Sequence, residues 1–438
     1  MNAKIAAADV DAVVRQMRHD WNTRASEDAR FYIACGRRNQ EDGDFAAHAA
    51  EVIRRIRNDF AWLPPEKPEG QLRILEIGCG IGRLMAHLAD ECGEIHGVDI
   101  SEEMVRQGRR RLAHVPHAHF HHAVHSDLRA FVDESFDVVY SYAVLQHIPD
   151  AAIALRYLDE AARVLRPGGV LTIQVNTLPI KRERHDTWAG AVLRADKAAA
   201  RCHGGGLRIR TLEGVDTQYT WITAQKAASR RTTILRLATL GDIVASDGTA
   251  DLLAARDAVH LQVRLLPSEA CDVTELSLRS GSAQLTVCRI GVPDTQRERD
   301  LEALVPDDVT PGADDLVLYW RGKPVSEPAR VTFSGPLGPG ARVVRVTDGQ
   351  ELSRDNVSSC GWVKLWLADW SGGAEDFAAW LGPDALPFHL HCDNARLGLW
   401  QVNLQLPYAT PPGRTTLIVQ LRAGEAVSFP LLIEADRP

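Results

Sequence analysis

Residues 74–84 read ILEIGCGIGRL, a short apolar run followed directly by a glycine-rich turn. Such a run is typical of a buried strand, and closely spaced glycines let the backbone turn sharply and approach a ligand. Gly78, Gly80 and Gly82 give the spacing G-x-G-x-G, and Arg83 stands where a dinucleotide-binding turn has its third glycine. The stretch therefore predicts a nucleotide-like ligand and disfavours nicotinamide and flavin cofactors.

Strand-like and helical patterns alternate from about residue 72 to 176. The strand-like runs are RILEIG, EIHGVD, HFHHAV, FDVVYSY and GVLTIQV, and helices are expected from Arg83, Glu102 and Asp150. This alternation predicts a parallel sheet built from βαβ units. We expect residues 71–226 to form this α/β domain.

Two carboxylates lie at the ends of the first two predicted strands. Glu76 is two residues before the glycine turn, where it would oppose a pyrophosphate and favour a cationic ligand. Asp99 ends the second strand, where acids of doubly wound sheets accept hydrogen bonds from both ribose hydroxyls. The pair predicts a ribose-containing ligand with a positive charge.

The flanking segments have different patterns. Residues 1–70 carry large side chains near helical spacing: Met17, Trp21, Phe31 and Tyr32. The Pro-rich stretch LPPEKPEG ends this segment. We expect a helical extension that acts as a lid. Beyond residue 227, short β-rich runs alternate with Gly, Pro and Asp clusters.

The β-rich half contains an internal repeat. It pairs Pro306 with Pro407, Gly312 with Gly413 and Leu316 with Leu417, a constant offset because 407 − 306 and 413 − 312 are both 101. A period of this size corresponds to a whole small domain. We therefore predict two immunoglobulin-like sandwich modules, at residues 227–335 and 336–438.

Composition excludes several classes of protein. A net charge of −8 gives no reason to expect a nucleic-acid partner. Asp9 and Asp11 interrupt the N-terminal region and no run approaches about 18 apolar residues, so we expect no membrane span and a cytoplasmic location.

The eight cysteines form no C-x-x-C pair, which predicts reduced thiols, with one disulfide in each part of the β half as the alternative.

Four segments together resemble class I S-adenosylmethionine-dependent methyltransferases: LEIGCGIGRL, GVDIS, FDVVYSYAVLQHI and RVLRPGG. The resemblance covers roughly residues 70–225 and is closest to the enzymes of ubiquinone and menaquinone biosynthesis. The flanking segments resemble a bacterial group of such methyltransferases. The resemblance of the four segments implies a doubly wound, Rossmann-like sheet of seven strands with S-adenosylmethionine as the cofactor.

The resemblance also implies cofactor contacts. Gly78, Gly80 and Gly82 would approach the methionine part, with Cys79 packed inside the turn, while Glu76 would support the turn or face the amino group.

Contacts to the ribose and adenine are implied as well. Asp99 would hold the ribose, and Ile100 and Met104 would pack on adenine. Val124 aligns with the acid that usually meets the adenine amino group, which leaves Asp127 or a backbone group near His125 as substitutes.

His147, just after the fourth strand, is our first candidate for the base that deprotonates an oxygen acceptor. The alternatives are that it caps the helix near Asp150 or packs below the cofactor. Gln146 would orient the acceptor. The further candidates for the acceptor pocket are Tyr32, Asn176, Trp188 and Tyr219.

Residues 114–125 contain six histidines, of which His117, His119 and His121 would share one face of the third strand. This strand is the sheet's edge in the fold, and neither a carboxylate nor a cysteine joins the histidines at ligand spacing. We expect no metal.

The run CGWVKLWLADW predicts a strand with two unlike faces. Val363, Leu365 and Leu367 would face a core, and the opposite face would carry Trp362, Lys364, Trp366 and Trp370. These tryptophans would either contact a glycan or a partner protein, or be buried between domains.

We therefore expect an enzyme that methylates an oxygen or nitrogen of an acceptor, with a carbohydrate or glycoconjugate favoured. The alternatives are a small-molecule methyltransferase acting on a quinone or natural product, and a binding or scaffold protein with an inactive methyltransferase fold.

Overall fold

The computed structural model contains two compact units, residues 1–231 and 232–437, which we describe separately. The described residues are 7–34, 40–47, 49–64, 69–177, 186–215, 217–227, 236–245, 252–254, 258–266, 272–281, 283–292, 298–306, 309–310, 312–335, 342–348, 356–358, 362–368, 377–394, 399–407, 410–421 and 426–434. Among them, no helix has both the length and the apolar character needed to span a bilayer.

The N-terminal unit is built on a sheet with the strand order β3-β2-β1-β4-β5-β7-β6. Its strands are β1 (Arg73–Ile77), β2 (Glu94–Asp99), β3 (Ala118–His122), β4 (Phe136–Ser141), β5 (Leu165–Val175), β6 (Leu207–Glu213) and β7 (Thr220–Lys226). Strands β1 to β5 are parallel, and β7 runs antiparallel to both of its neighbours. The predicted α/β fold with its parallel core is confirmed.

Seven α-helices of the described residues accompany this sheet. They are α1 (Ala7–Ala34), α2 (Asp42–Ala47), α3 (Ala50–Asp59), α4 (Arg83–Leu88), α5 (Glu102–Arg111), α6 (Ala151–Val164) and α7 (Ala195–Gly204). Two begin at side-chain caps: Ser101 Oγ accepts from the backbone N–H of Met104, and Asp150 accepts from those of Ala152 and Ile153. Because such caps satisfy free amides of the first turn, they set the starts of α5 and α6.

Helix α1 is interrupted at Asp28, whose backbone is not helical and whose carboxylate accepts a hydrogen bond from Phe31 N–H at 3.0 Å. Before this break, Asn22 Oδ1 accepts from Ser101 Oγ at 2.8 Å and from Glu103 N–H at 3.1 Å. Helix α1 is thereby attached to the first turn of α5, beside the end of β2. A small core joins it to the rest of the unit through Ala25, Ala29, Phe45, Ile81 and Met104.

The described strands of the C-terminal unit form two sets with corresponding strand orders. The first set is β8 (Arg236–Ala245), β9 (Leu252–Ala254), β10 (Ala258–Leu266), β11 (Leu276–Arg279), β12 (Gln284–Ile290), β13 (Glu298–Leu304), β14 (Gly312–Trp320), β15 (Lys323–Pro324) and β16 (Ala329–Gly335). The second is β17 (Arg342–Asp348), β18 (Val357–Ser358), β19 (Trp362–Ala368), β20 (Phe377–Leu381), β21 (Asp384–Ala385), β22 (Phe388–Asn394), β23 (Leu399–Gln405), β24 (Gly413–Leu421) and β25 (Val427–Ile433).

Pairing within the two sets follows one pattern, apart from an added antiparallel pairing of β11 with β12 in the first set. The order β8-β10-β13-β12 corresponds to β17-β19-β23-β22, and β11-β14-β16-β9 corresponds to β20-β24-β25-β18. In both sets the short second strand, β9 or β18, runs parallel to the last strand. Strands β13 and β14 have the same lengths as β23 and β24 and precede them by 101 residues, so the sequence repeat is also a structural repeat.

Strand β19 has both faces covered at its centre. Val363, Leu365 and Leu367 are completely buried in the core of the second set, as the alternation predicts. Lys364, on the opposite face, is also buried, while Trp362 is half-buried. This favours the alternative in which that face is covered; the side chain of Trp366 and all of Trp370 lie outside the described residues.

Candidate functional site

The glycine turn lies at the carboxyl end of β1 and is held against β2. The backbone N–H groups of Gly78 and Cys79 donate to the Val98 carbonyl at 2.7 and 3.2 Å, and Gly82 N–H donates to the Cys79 carbonyl at 2.9 Å. All three glycines have positive φ, at 74°, 51° and 76°. L-residues rarely adopt this conformation, which explains why the turn is built from glycine.

Two side chains lie against the turn where larger residues would collide. A Cβ on Gly78 would lie 2.3 Å from Cγ2 of Val144, in the loop after β4. A Cβ on Gly80 would lie 2.7 Å from Cδ1 of Ile33, near the end of α1. The turn is therefore a narrow backbone cradle with the β4 loop on one side and α1 on the other.

Asp99 lies half-buried at the end of β2, beside this cradle. Its two carboxylate oxygens accept hydrogen bonds from Gly80 N–H and Ser101 N–H, each at 2.8 Å. Burial raises the pKa of Asp99, and these backbone hydrogen bonds act in the opposite direction. The Ile100 backbone also donates to this carboxylate; since a carboxylate can accept about four hydrogen bonds, Asp99 retains capacity for a ligand hydroxyl.

Glu76 is buried beneath the turn and is 4% exposed. Its carboxylate accepts a hydrogen bond from the Tyr140 hydroxyl at 2.9 Å. Burial raises the pKa of Glu76 to about 8, although hydrogen bonds from Tyr140 and the Met85 backbone and the nearby Arg83 charge oppose this. These contacts, to β4 and to the first turn of α4, are those of a residue that supports the turn.

Other predicted cofactor residues lie around the cradle in different environments. Cys79 packs under the turn, where a Cβ on Gly97 would lie 2.7 Å from its Sγ. Met104 is buried against α1, and Ile100 is half-buried.

The segment predicted to meet adenine is open to solvent at its start. Val124 and His125 are exposed, and the Asp127 carboxylate pairs with Arg129 at 2.6 Å. This ion pair lowers the pKa of Asp127. The Asp127 side chain is thus engaged within its own loop.

His147 is in a 3-10 turn, Leu145–His147, after β4. Its Nδ1 lies 2.6 Å from the carbonyl oxygen of Trp188, and because a carbonyl can only accept, the proton is on Nδ1. Burial lowers the pKa of His147 to about 4. His147 is therefore neutral at pH 7, and its Nε2 accepts a long hydrogen bond, 3.4 Å, from the Gln146 side-chain amide. The alternative that it caps α6 is wrong, because Asp150 supplies that cap.

Gln146, predicted to orient the acceptor, is 6% exposed. Its Nε2 lies 3.4 Å from His147 Nε2, and its Oε1 has no hydrogen-bond partner among the described residues. A buried amide oxygen without a partner is costly and favours a ligand that donates a hydrogen bond to it.

His147 belongs to a group of four rings that we call the aromatic cluster: Trp21, Tyr32, His147 and Trp188. Ring centroids are 5.5 Å apart for Trp21 and His147, 5.3 Å for His147 and Trp188, and 5.9 Å for Tyr32 and Trp188. Trp188 is 41% exposed, so the cluster opens to solvent there. Trp21 was not among the predicted site residues, because nothing local in α1 signals its contact with a residue 126 positions away.

Asn176 and Tyr219, the remaining acceptor candidates, lie together at the carboxyl end of β5. Asn176 directly follows β5 and Tyr219 directly precedes β7, and the adjacent residues Val175 and Thr220 pair across these strands. Asn176 is buried, and its carbonyl accepts from Leu193 N–H at 2.8 Å. Because β4 and β5 are parallel, both residues lie at the sheet edge that carries His147.

The histidines of β3 meet residues of β2. His121 Nε2 lies 3.0 Å from His96 Nδ1, and His96 Nε2 lies 3.2 Å from a Glu94 oxygen. Burial lowers the pKa of His121 to about 4 and also lowers that of His96. Among the described residues, no group of three or more histidines, cysteines or carboxylates is placed to hold a metal ion.

The family profile matches a segment within the N-terminal unit, and three curated relatives of the chain are methyltransferases. The sequence profile of the family described as "Methyltransferase domain" matches residues 75–173. The chain is similar to the demethylmenaquinone methyltransferase of Clavibacter sepedonicus, with 37% identity over 123 residues, 27% of this chain and 49% of the relative. It is also similar to the trans-aconitate 2-methyltransferase of Azoarcus sp. (strain BH72), with 33% identity over 138 residues, 31% of this chain and 50% of the relative.

A longer match includes more of the N-terminal unit. The 27-O-demethylrifamycin SV methyltransferase of Amycolatopsis mediterranei is 31% identical over 201 residues, 43% of this chain and 71% of that protein. By contrast, the chain spans about half the length of the relatives from Clavibacter sepedonicus and Azoarcus sp..

Proposed function

The chain belongs to the family of S-adenosylmethionine-dependent methyltransferases, and we propose that it transfers the cofactor's methyl group to an oxygen of a small-molecule acceptor. The observation that supports an acceptor site most directly is the pair of Gln146 and His147. Beside the glycine turn, the buried Gln146 amide oxygen has no partner among the described residues, and the adjacent neutral imidazole accepts at Nε2 only a long hydrogen bond, 3.4 Å, from the same amide.

The donor set around the glycine turn fits the cofactor. Gly78 and Gly80 have the positive φ expected of the turn that meets the methionine part, and Asp99 retains capacity for a ribose hydroxyl. When bound, S-adenosylmethionine supplies a methyl group on a positively charged sulfur, which keeps the bonding electron pair as the methyl leaves. Glu76, buried beneath the turn, stabilises it through hydrogen bonds from the Tyr140 hydroxyl and the Met85 backbone of α4.

The acceptor's proton is received by His147. The Trp188 carbonyl fixes the imidazole with its proton on Nδ1, so Nε2 can accept a proton once the acceptor hydroxyl replaces the 3.4 Å hydrogen bond from Gln146 Nε2. Gln146 Oε1 accepts a hydrogen bond from the acceptor hydroxyl and aligns it. Since methyl transfer depends mainly on holding the acceptor oxygen close to the methyl and in line with it, this positioning is the larger contribution.

A small acceptor has more support than a carbohydrate. The three relatives are named for small-molecule acceptors, and the aromatic cluster offers apolar ring faces of limited extent. A carbohydrate acceptor would depend on a tryptophan face of β19, where Lys364 is buried and Trp362 half-buried. A glycan or protein partner of the C-terminal unit stays a separate proposal.

Calorimetric titration of the full chain with S-adenosylhomocysteine, the demethylated product, tests the proposal. We expect micromolar binding, about −8 kcal/mol. Asp99→Ala should weaken binding at least about tenfold, since it removes the carboxyl that accepts from the ribose. Asp133→Ala, which changes an exposed aspartate outside the site, is the matched control and should not alter affinity. Lack of binding would favour the scaffold alternative instead.

His147→Ala separates the two proposed roles. It should leave S-adenosylhomocysteine affinity unchanged and lower turnover by about 10²- to 10⁴-fold once an acceptor is in hand. Equal losses of cofactor affinity in His147→Ala and Asp99→Ala would contradict the division between base and ribose-binding residue.

We also propose that the two strand sets of the C-terminal unit are immunoglobulin-like modules. Their sheets correspond to the immunoglobulin pattern, in which strands A, B, E and D form one sheet and C, F and G the other. An experimental structure would test this through the parallel pairing of β9 with β16 and of β18 with β25.

A further inference from the structure

Arg24 of α1 lies between two tryptophans of the aromatic cluster. Its guanidinium carbon is 4.6 Å from the centroid of the Trp21 ring and 5.4 Å from that of Trp188. One of its N–H groups, on Nη1, donates to the carbonyl of Thr187 at 3.0 Å. The guanidinium is thus held in one place by ring faces from two distant parts of the chain.

The charge of Arg24 is not neutralised by an ion pair within the described part of the chain. The nearby carboxylates have other hydrogen-bond donors: Asp20 accepts from Gln16 and Thr187, each at 2.6 Å, and Asp186 accepts from the backbone amides of Trp188 and Ala189. A guanidinium has five N–H donors, and the Thr187 carbonyl engages one of them. Adjacent N–H groups among the remaining donors point in parallel and can bind both oxygens of one carboxylate.

The position of Arg24 connects it to the site proposed above. Trp21, which stacks on Arg24, also contacts the His147 ring, and the neighbouring Asn22 bonds to Ser101, two residues after Asp99. The loop of His147 contacts the glycine turn through Val144. An anion on Arg24 would therefore lie next to the base and on the acceptor side of the glycine turn.

We infer that the acceptor bears a carboxylate, which Arg24 binds with the fork that Trp21 and Trp188 hold in place. This inference rests on the methyl-transfer function proposed above. Arginine's planar fork pairs with a carboxylate through two parallel hydrogen bonds, and a guanidinium stacked on aromatic rings is fixed in orientation before the ligand binds.

A cationic acceptor is the main competitor, because two indoles also form the walls of cages for organic cations. Arg24 already occupies the space between the indoles, however, and its charge would repel a second cation. Anionic and cationic acceptors therefore make opposite predictions for the same measurement.

The test uses pairs of probes of nearly equal size and shape, in which a charged carboxylate is replaced by a neutral amide: benzoate and benzamide, cinnamate and cinnamamide, 2-naphthoate and 2-naphthamide. Their binding to the full chain, saturated with S-adenosylhomocysteine, is measured by ligand-observed NMR titration. We expect each carboxylate to bind at least about tenfold more tightly than its amide, because a charged partner strengthens the hydrogen bonds to the fork. Benzylammonium should bind more weakly than either.

Variants assign the preference to Arg24. Arg24→Gln should abolish the difference between carboxylate and amide, and Arg24→Lys, which keeps the charge without the fork, should retain part of it. Arg15→Gln, on the exposed side of the same helix, is the matched control and should retain all of it.

The outcomes are distinct. Equal binding of carboxylates and amides by the unaltered protein, failure of every carboxylate to bind, or a preference that survives Arg24→Gln would each overturn the inference. If S-adenosylhomocysteine binds in these experiments, the methyl-transfer proposal stands while the acceptor class falls. If it does not bind, the methyl-transfer proposal itself fails.

Discussion

Replacing Glu76 by Gln should stabilise the N-terminal unit increasingly as pH rises. Burial raises the pKa of Glu76 from 4.5 to about 8, so between these values the folded protein holds a proton that the unfolded chain releases. Stability is therefore lost as pH rises through this window. At 1.36 kcal/mol per pKa unit, the loss reaches at most about 5 kcal/mol above pH 8.

Glutamine resembles the protonated acid in size and can still accept the hydrogen bond from Tyr140, but it does not titrate. The free energy of opening can be measured by hydrogen exchange of the full chain at pH 5.5, 7.0 and 8.5, in peptides that cover β1. The difference between Glu76→Gln and the unaltered protein should grow by several kcal/mol over this range. Peptides from β24, in the other compact unit, provide the internal control.

Glu94→Gln is the matched control variant. Hydrogen bonds with His96 and Arg73 lower the pKa of Glu94, so its removal should cost stability rather than add it, and the change should be small because its side chain is 45% exposed. A Glu76→Gln effect that is the same at all three pH values, or that destabilises more at pH 8.5 than at 5.5, would refute the assignment of a buried, proton-holding carboxyl.

Three further changes test the site. Gly80→Ala introduces a Cβ 2.7 Å from Ile33 at a φ of 51°, and should cost about 1–3 kcal/mol and weaken S-adenosylhomocysteine binding in calorimetry; Gly204→Ala, which meets nothing within 4 Å, is its control. Asn22→Ala removes two hydrogen bonds to α5, about 1–2 kcal/mol, and should speed amide exchange throughout α1, which unchanged exchange would contradict. Because burial lowers the pKa of His147 to about 4, its base form persists down to that pH, so the methylation rate should not show a His147 transition between pH 6 and 8; a midpoint near 6.5 would contradict this.

Local patterns in the sequence were sufficient for the elements of the α/β core. The helices expected from Arg83, Glu102 and Asp150 begin at or within one residue of these positions, since caps and apolar periodicity act over a few residues. The 101-residue offset also predicted the repeated strand sets, because equal spacing of turns and apolar positions imposes equal pairing.

Contacts between distant segments could not be read in the same way. Glu94 and His96 join the histidines of β3 because β2 and β3 pair, whereas their spacing along the chain suggests no such cluster. Likewise, Glu76 had two predicted roles, and its contacts with Tyr140 and α4 became evident from the packing of β1 against β4.

The sequence by itself determined the glycine turn, the acid at the end of β2, the order of strands and helices and the β repeat, because each depends on residues close together in the chain or on a regular period. The tertiary structure decided which side chains meet above the sheet. It brought Trp21 and Arg24 of α1 to His147 and Trp188, and it shifted the pKa values of Glu76 and His147 through burial. Burial and long-range contact depend on how the whole chain packs, and no local pattern contains that information.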